Sequence, residues 1–115
     1  MTEMLAVGTV AEVTKRRRVV VEHDDVPIVV IAHDGAFYAM DNICIHKQRE
    51  LSKGVILSGK LVCPGHQWAF ELGTGREAVK ERCQPSYDVI VEDGAVYVDL
   101  ASRRSDELAA SPQLD

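Results

Sequence analysis

Three features of the sequence predict an all-β fold: short runs rich in valine and isoleucine, two-residue turn signals between them, and helical periodicity almost nowhere. Residues 18 to 23 (RVVVEH) and 27 to 33 (PIVVIAH) read as a strand pair turned at Asp24-Asp25. Asp34-Gly35 separates VVIAH from AFYAM, and Asp93-Gly94 separates YDVIVE from AVYVD. Asp-Gly between two apolar runs is the strongest short-range hairpin signal, because both turn residues must take positive φ. Ser58-Gly59, between VIL and KLVC, is a weaker case of the same kind. Helical spacing is confined to residues 105 to 110 (SDELAA), where Ser105 is placed to cap a short turn. The polar residues around it mark a flexible tail. The expected organisation is a single domain over residues 1 to 100, followed by a tail over 101 to 115.

At 115 residues the chain has room for one domain, and its 46% hydrophobic and 27% charged residues are ordinary for a globular protein. Thirteen Lys and Arg against eighteen Asp and Glu give a net charge of −5, which argues against a nucleic-acid surface. The run Lys15-Arg16-Arg17-Arg18 is therefore read as a solvated turn. An acidic residue stands near the start, where an export signal would be basic, and no window reaches the roughly 18 apolar residues of a membrane span. A soluble cytoplasmic protein, with no membrane partner, is the expectation.

Three cysteines in a chain with no export signal point to metal or redox chemistry rather than to a disulfide framework. Cys44-Ile45-His46 follows one predicted strand, and Cys63-Pro64-Gly65-His66 follows another. Each pair thus falls where a sheet gives way to a loop, the usual place for binding residues. Thiolate and imidazole together suit zinc or an iron–sulfur centre and do not suit calcium or magnesium. A Cys2His2 zinc finger puts two cysteines on one loop and two histidines on the other, whereas here each loop supplies one of each. Two mixed loops can serve two inequivalent irons, which is the Rieske arrangement of a [2Fe–2S] cluster. A structural zinc module that binds another protein is the remote alternative.

The similarity extends past the four ligands. C-x-H-K, then Leu51-Ser52-x-Gly54, then V-C-P-x-H-x-W-x-F with Leu72 and Thr74-Gly75, resembles the cluster-binding half of small bacterial Rieske ferredoxins. Gln84-Pro85 and Tyr87-Asp88-Val89 resemble their closing strands. The resemblance implies an antiparallel β-sandwich base with a small cluster-binding lobe over roughly residues 41 to 77. It implies that Cys44 and Cys63 hold the inner iron and that His46 and His66 hold the outer iron, with their ring edges near the surface.

It also implies a function: a soluble electron carrier, not itself an enzyme, between an NAD(P)H-dependent flavin reductase and a terminal oxygenase. The alternative is the small Rieske subunit of an NAD(P)H-dependent nitrite reductase, which residues 63 to 98 also resemble. High-potential Rieske proteins carry a disulfide and two hydroxyl donors beside the cluster. The matching positions here are Arg49, Gly65, Trp68 and Phe70, so a low potential is expected. Lys47, Arg49 and Lys53 are the candidate partner contacts. Trp68 and Phe70 are expected to pack, Cys83 to be a thiol without a redox role, and His23 and His33 to be exposed strand ends beside aspartates.

Overall fold

The computed structural model describes residues 4–43, 50–64, 69–77 and 82–104. Among these described residues, eleven strands and one helix follow in order: β1 (Met4–Thr9), α1 (Val10–Arg16), β2 (Arg18–His23), β3 (Val26–His33), β4 (Ala36–Asp41), β5 (Val55–Leu57), β6 (Lys60–Val62), β7 (Ala69–Glu71), β8 (Arg76–Glu77), β9 (Arg82–Cys83), β10 (Ser86–Glu92) and β11 (Ala95–Arg104). A 3-10 turn at Leu51–Lys53 precedes β5. Six strands form one antiparallel sheet in the order β1-β11-β10-β4-β3-β2, and β5-β6-β7 form a small second sheet.

The predicted hairpins are present, and their turns explain why they were legible. At each of the Asp24-Asp25, Asp34-Gly35, Ser58-Gly59 and Asp93-Gly94 turns both residues have positive φ, the type I′ geometry that matches strand twist. The apolar pattern then divides the core in two. In β3, Ile28 and Val30 face one cluster, with Val13, Ala39, Tyr87, Val96 and Val98. The alternate residues Val29 and Ile31 face another, with Met40, Leu51, Leu61, Cys63, Phe70 and Leu72. A strand buried on both faces reads as a continuous apolar run, and PIVVIAH is one. The first cluster draws on all six strands of the large sheet and forms the base; the second joins that sheet to β5-β6-β7.

Three local expectations are corrected. The run at 15 to 18 is exposed over Lys15 to Arg17 but is not a turn: Lys15 and Arg16 end α1, a helix where none was expected, and Arg18, half-buried, opens β2. The helix is set by a capping box, in which the Glu12 N–H donates to the Thr9 hydroxyl and the Thr9 N–H donates to Glu12 Oε1, each at 3.1 Å. The Thr9 backbone N–H first, and then the Thr9 hydroxyl, hold the Glu12 carboxyl below its ordinary range. Lastly, β11 continues through residues 101 to 104, which the sequence assigns to the tail. Arg104 Nη1 donates to Asp88 Oδ1 at 2.9 Å, and Arg103 Nη2 donates to Asp41 Oδ2 at 2.9 Å, which fixes this end of the strand. The helical turn expected at 105 to 110 lies outside the described residues.

Candidate metal centre

Both cysteine-histidine loops are closed at their stems by β pairing. Ile43 bridges Glu50, which closes the loop of residues 44 to 49, and Val62 pairs with Ala69, which closes the loop that begins at Cys63. The two stems share a core, because Leu51, Cys63 and Phe70 belong to one buried cluster. Of the four predicted ligands, Cys63 is described: it leaves β6 with 1% of its surface exposed. Its Sγ lies 3.7 Å from the Pro64 carbonyl. Cys44, His46 and His66 lie outside the described residues, as do Lys47, Arg49, Gly65 and Trp68.

The first stem is held by hydrogen bonds from three directions. The Gln84 side chain, fully buried, donates from Nε2 to the carbonyls of Asp41 and Ile43, both at 2.7 Å. The Asn42 N–H donates to the Pro27 carbonyl at 2.8 Å, and Asn42 Oδ1 accepts from the Ser52 N–H at 2.7 Å. The Asp41 N–H donates to the Pro85 carbonyl at 2.8 Å. These groups fix the backbone leading to Cys44 before any ligand contributes. In the sequence Gln84 and Pro85 belong to the segment that resembles Rieske closing strands, and nothing local shows this role.

Asp41 also anchors the stem through its side chain. The Tyr87 hydroxyl donates to Asp41 Oδ1 at 2.6 Å, and Arg103 Nε donates to the Tyr87 oxygen at 3.2 Å. Burial first, and the bond to the Asp41 carboxylate second, push the Tyr87 phenol up to about 12. An unfolded tyrosine ionises near pH 10, so the native state holds this proton where the unfolded chain has lost it. The stabilisation is complete below about pH 10 and is lost as pH rises toward about 12. Tyr87→Phe is therefore expected to flatten the fall in urea-unfolding free energy across that window; an unchanged slope would place the titration elsewhere.

The remaining candidates fall into place individually. Phe70 is fully buried, as a packing residue should be. Cys83 is half-buried, with Sγ 3.8 Å from the Thr74 carbonyl. His23 and His33 end their strands, with Nε2 3.3 Å and 3.6 Å from Asp24 and Asp34. Each is about a third exposed, less open than expected. Lys53 is exposed and 3.5 Å from Glu50, its partner one turn earlier. Arg18, read from the sequence as solvated, donates from Nη1 to the carbonyls of Ser52 and Gly54, on the segment leaving the first loop.

The donor chemistry suits an iron–sulfur group. A soft sulfur stands at a strand end in an apolar shell of Leu51, Leu61, Phe70 and Leu72, and the first stem is hydrogen-bonded through Gln84 and Asn42. Among the described residues, no helix is long and apolar enough to cross a membrane.

Comparison with known proteins agrees with this geometry. The Rieske [2Fe-2S] domain profile matches residues 3–96. The 3-phenylpropionate/cinnamic acid dioxygenase ferredoxin subunit of Photorhabdus laumondii is 32% identical over 80 residues, which span 67% of this chain and 76% of that one. Among solved structures, the Sphingomonas yanoikuyae B1 ferredoxin is 30% identical with a TM-score of 0.70, over 84% of this chain and 98% of that one. A chain from the complex of reduced oxygenase and oxidized ferredoxin in carbazole 1,9a-dioxygenase shares the fold, with a TM-score of 0.78 at 24% identity, over 90% of this chain and 97% of that one.

Proposed function

Because this chain belongs to the Rieske [2Fe-2S] domain family, we propose that it is a soluble, low-potential electron carrier, holding one cluster on Cys44, His46, Cys63 and His66. In this reading it takes single electrons from an NAD(P)H-dependent flavin reductase and passes them to a terminal oxygenase. The observation that carries it is the pair of braced loop stems converging on one buried core, with Cys63 leaving the second stem. Similar chains that are ferredoxin subunits of dioxygenases support the partner assignment. The domain runs through the end of β11 at Arg104, with the lobe spanning about 41 to 77, and a cytoplasmic setting belongs to the same proposal.

The cluster, when bound, supplies a one-electron acceptor. The chain supplies the rest. Gln84 and Asn42 hold the first stem, so the ligand set need not reorganise between oxidation states, and the apolar shell around Cys63 keeps water from its sulfur. Phe70 is buried and apolar where a high-potential protein would offer a hydroxyl to the cluster. Hydrogen bonds to sulfur stabilise the reduced state, so their loss lowers the potential.

The test joins spectroscopy to turnover. The purified chain is expected to show the electron paramagnetic resonance signal of a reduced Rieske cluster, and a midpoint near the bottom of the roughly −150 to +300 mV Rieske range. Mixed with a flavin reductase, NADH and a ring-hydroxylating oxygenase, it is expected to restore product formation that stops when it is omitted. A colourless zinc-loaded protein, a midpoint well above zero, or co-purification with a sirohaem subunit would each overturn part of this reading.

A further inference from the structure

We propose that Arg18 tunes the cluster's reduction potential, acting as a positioning residue that also places a fixed positive charge in the cluster-binding lobe. The inference rests on the Rieske reading above. Arg18 opens β2, an edge strand of the base, and its guanidinium crosses to the lobe. There Nη1 donates to the Ser52 carbonyl at 2.8 Å and to the Gly54 carbonyl at 2.5 Å. These two residues follow the first ligand loop and, through Gly54, touch the second. A side chain at Gly54 would collide with the Val62 carbonyl oxygen, and Val62 immediately precedes Cys63. One guanidinium thus grips the segment wedged between the stems of both ligand loops.

Among the described residues no carboxylate pairs with Arg18; its partners are carbonyl oxygens, which orient the guanidinium without cancelling it. Arg103 and Arg104, by contrast, each sit on an aspartate. A guanidinium stays protonated throughout the working pH range, so this charge is permanent. Two ferric ions, two sulfides and two thiolates sum to zero, and reduction makes the cluster anionic within a chain already carrying −5. A fixed cation in the lobe, in surroundings less polarisable than water, favours the reduced form. The structure therefore gives Arg18 two separable duties, bridging by its N–H groups and electrostatic bias by its charge.

Two variants separate them. Arg18→Lys keeps the charge and loses the fork, whereas Arg18→Gln keeps donors and loses the charge. Each holoprotein is first checked for cluster content by visible absorbance and iron assay, then titrated for its midpoint potential. Arg18→Gln is expected to lower the equilibrium constant for reduction roughly threefold, about 28 mV at 59 mV per decade, while Arg18→Lys stays near the parent value. A parent protein with no cluster would sink the Rieske reading itself. A loaded parent in which Arg18→Gln leaves the potential unchanged, or in which both variants shift equally, would overturn the tuning role alone. Loss of the cluster from both variants, with the parent loaded, would likewise overturn it and reduce Arg18 to a folding strap.

Discussion

Replacing Cys63 with alanine is expected to abolish the visible absorbance of the cluster and the resonance signal of its reduced form, leaving almost no iron bound. Cys83→Ala is expected to keep both in full. The two thiols are separated by what surrounds them. Cys63 leaves β6 within the core that joins base and lobe, against Leu51, Leu61 and Phe70, and its sulfur is placed where the stems of both loops meet. Cys83 lies in the two-residue strand β9, half-buried beside the Thr74 carbonyl, with no histidine at ligand spacing. Metal release is coupled to folding in small sites of this kind, so Cys63→Ala should also unfold at a lower temperature than the loaded parent. The control is the metal-free parent. If that form melts at the same temperature as the variant, the difference is the bound group and not the lost core volume. Retention of cluster by Cys63→Ala would remove the ligand assignment on which the functional reading stands.

The features that were legible in the sequence are those fixed by local chemistry. Asp-Gly and Ser-Gly pairs demand a hairpin wherever apolar runs flank them, and three such turns, together with Asp24-Asp25, join β2 to β3, β3 to β4, β5 to β6 and β10 to β11. The cysteine-histidine pairs on which the proposed ligand set rests are local patterns too, one in each segment. What escaped depends on distant partners or on elements too short for periodicity to show. Helix α1 buries one residue, Val13, in seven, so no apolar stripe betrays it; the Thr9-x-x-Glu12 capping box was the available signal. In β1 the register shifts between Ala6 and Gly8, which breaks the alternation a strand would show. The end of β11 pairs Arg104 with Ser86 beyond another shift, and its polar residues resemble a tail until Asp88 and Asp41 are brought alongside.

Arg18 shows the same limit most clearly. Four consecutive basic residues look interchangeable in sequence, yet their backbone directions differ. Lys15 and Arg16 leave the last turn of α1, Arg17 takes a positive φ of 71° at the helix end, and Arg18 enters an edge strand. Only the last of them meets carbonyls 34 and 36 residues away. Charge composition fixes the number of cations; the helix stop decides which one serves the lobe.

Three glycines allow the close contacts that hold the lobe together to be weighed against backbone conformation. Gly35 has a φ of +77° with open space where a side chain would stand, so Gly35→Ala should cost about 1 kcal/mol, the strain of the left-handed region alone. Gly54 has an ordinary φ of −81°, but a Cβ there would collide with the Val62 carbonyl oxygen and lie 3.3 Å from the Leu51 oxygen. Backbone atoms cannot rotate aside as a side-chain tip can, so Gly54→Ala should cost about 1–3 kcal/mol by forcing the two loop stems apart. Gly75 combines both conditions: its φ is +75°, and a Cβ would collide with the Gln84 carbonyl oxygen. That approach is closed by the Gln84 N–H donating to the Gly75 carbonyl at 2.7 Å, and the same Gln84 braces the stem leading to Cys44. Gly75→Ala is therefore expected to be the worst of the three, at about 2–4 kcal/mol in urea unfolding, and to release the cluster faster under a chelator than Gly35→Ala does. Equal costs for Gly35→Ala and Gly75→Ala would mean that the backbone at Gln84 yields freely. In that case the brace on the first ligand loop is softer than its hydrogen bonds imply.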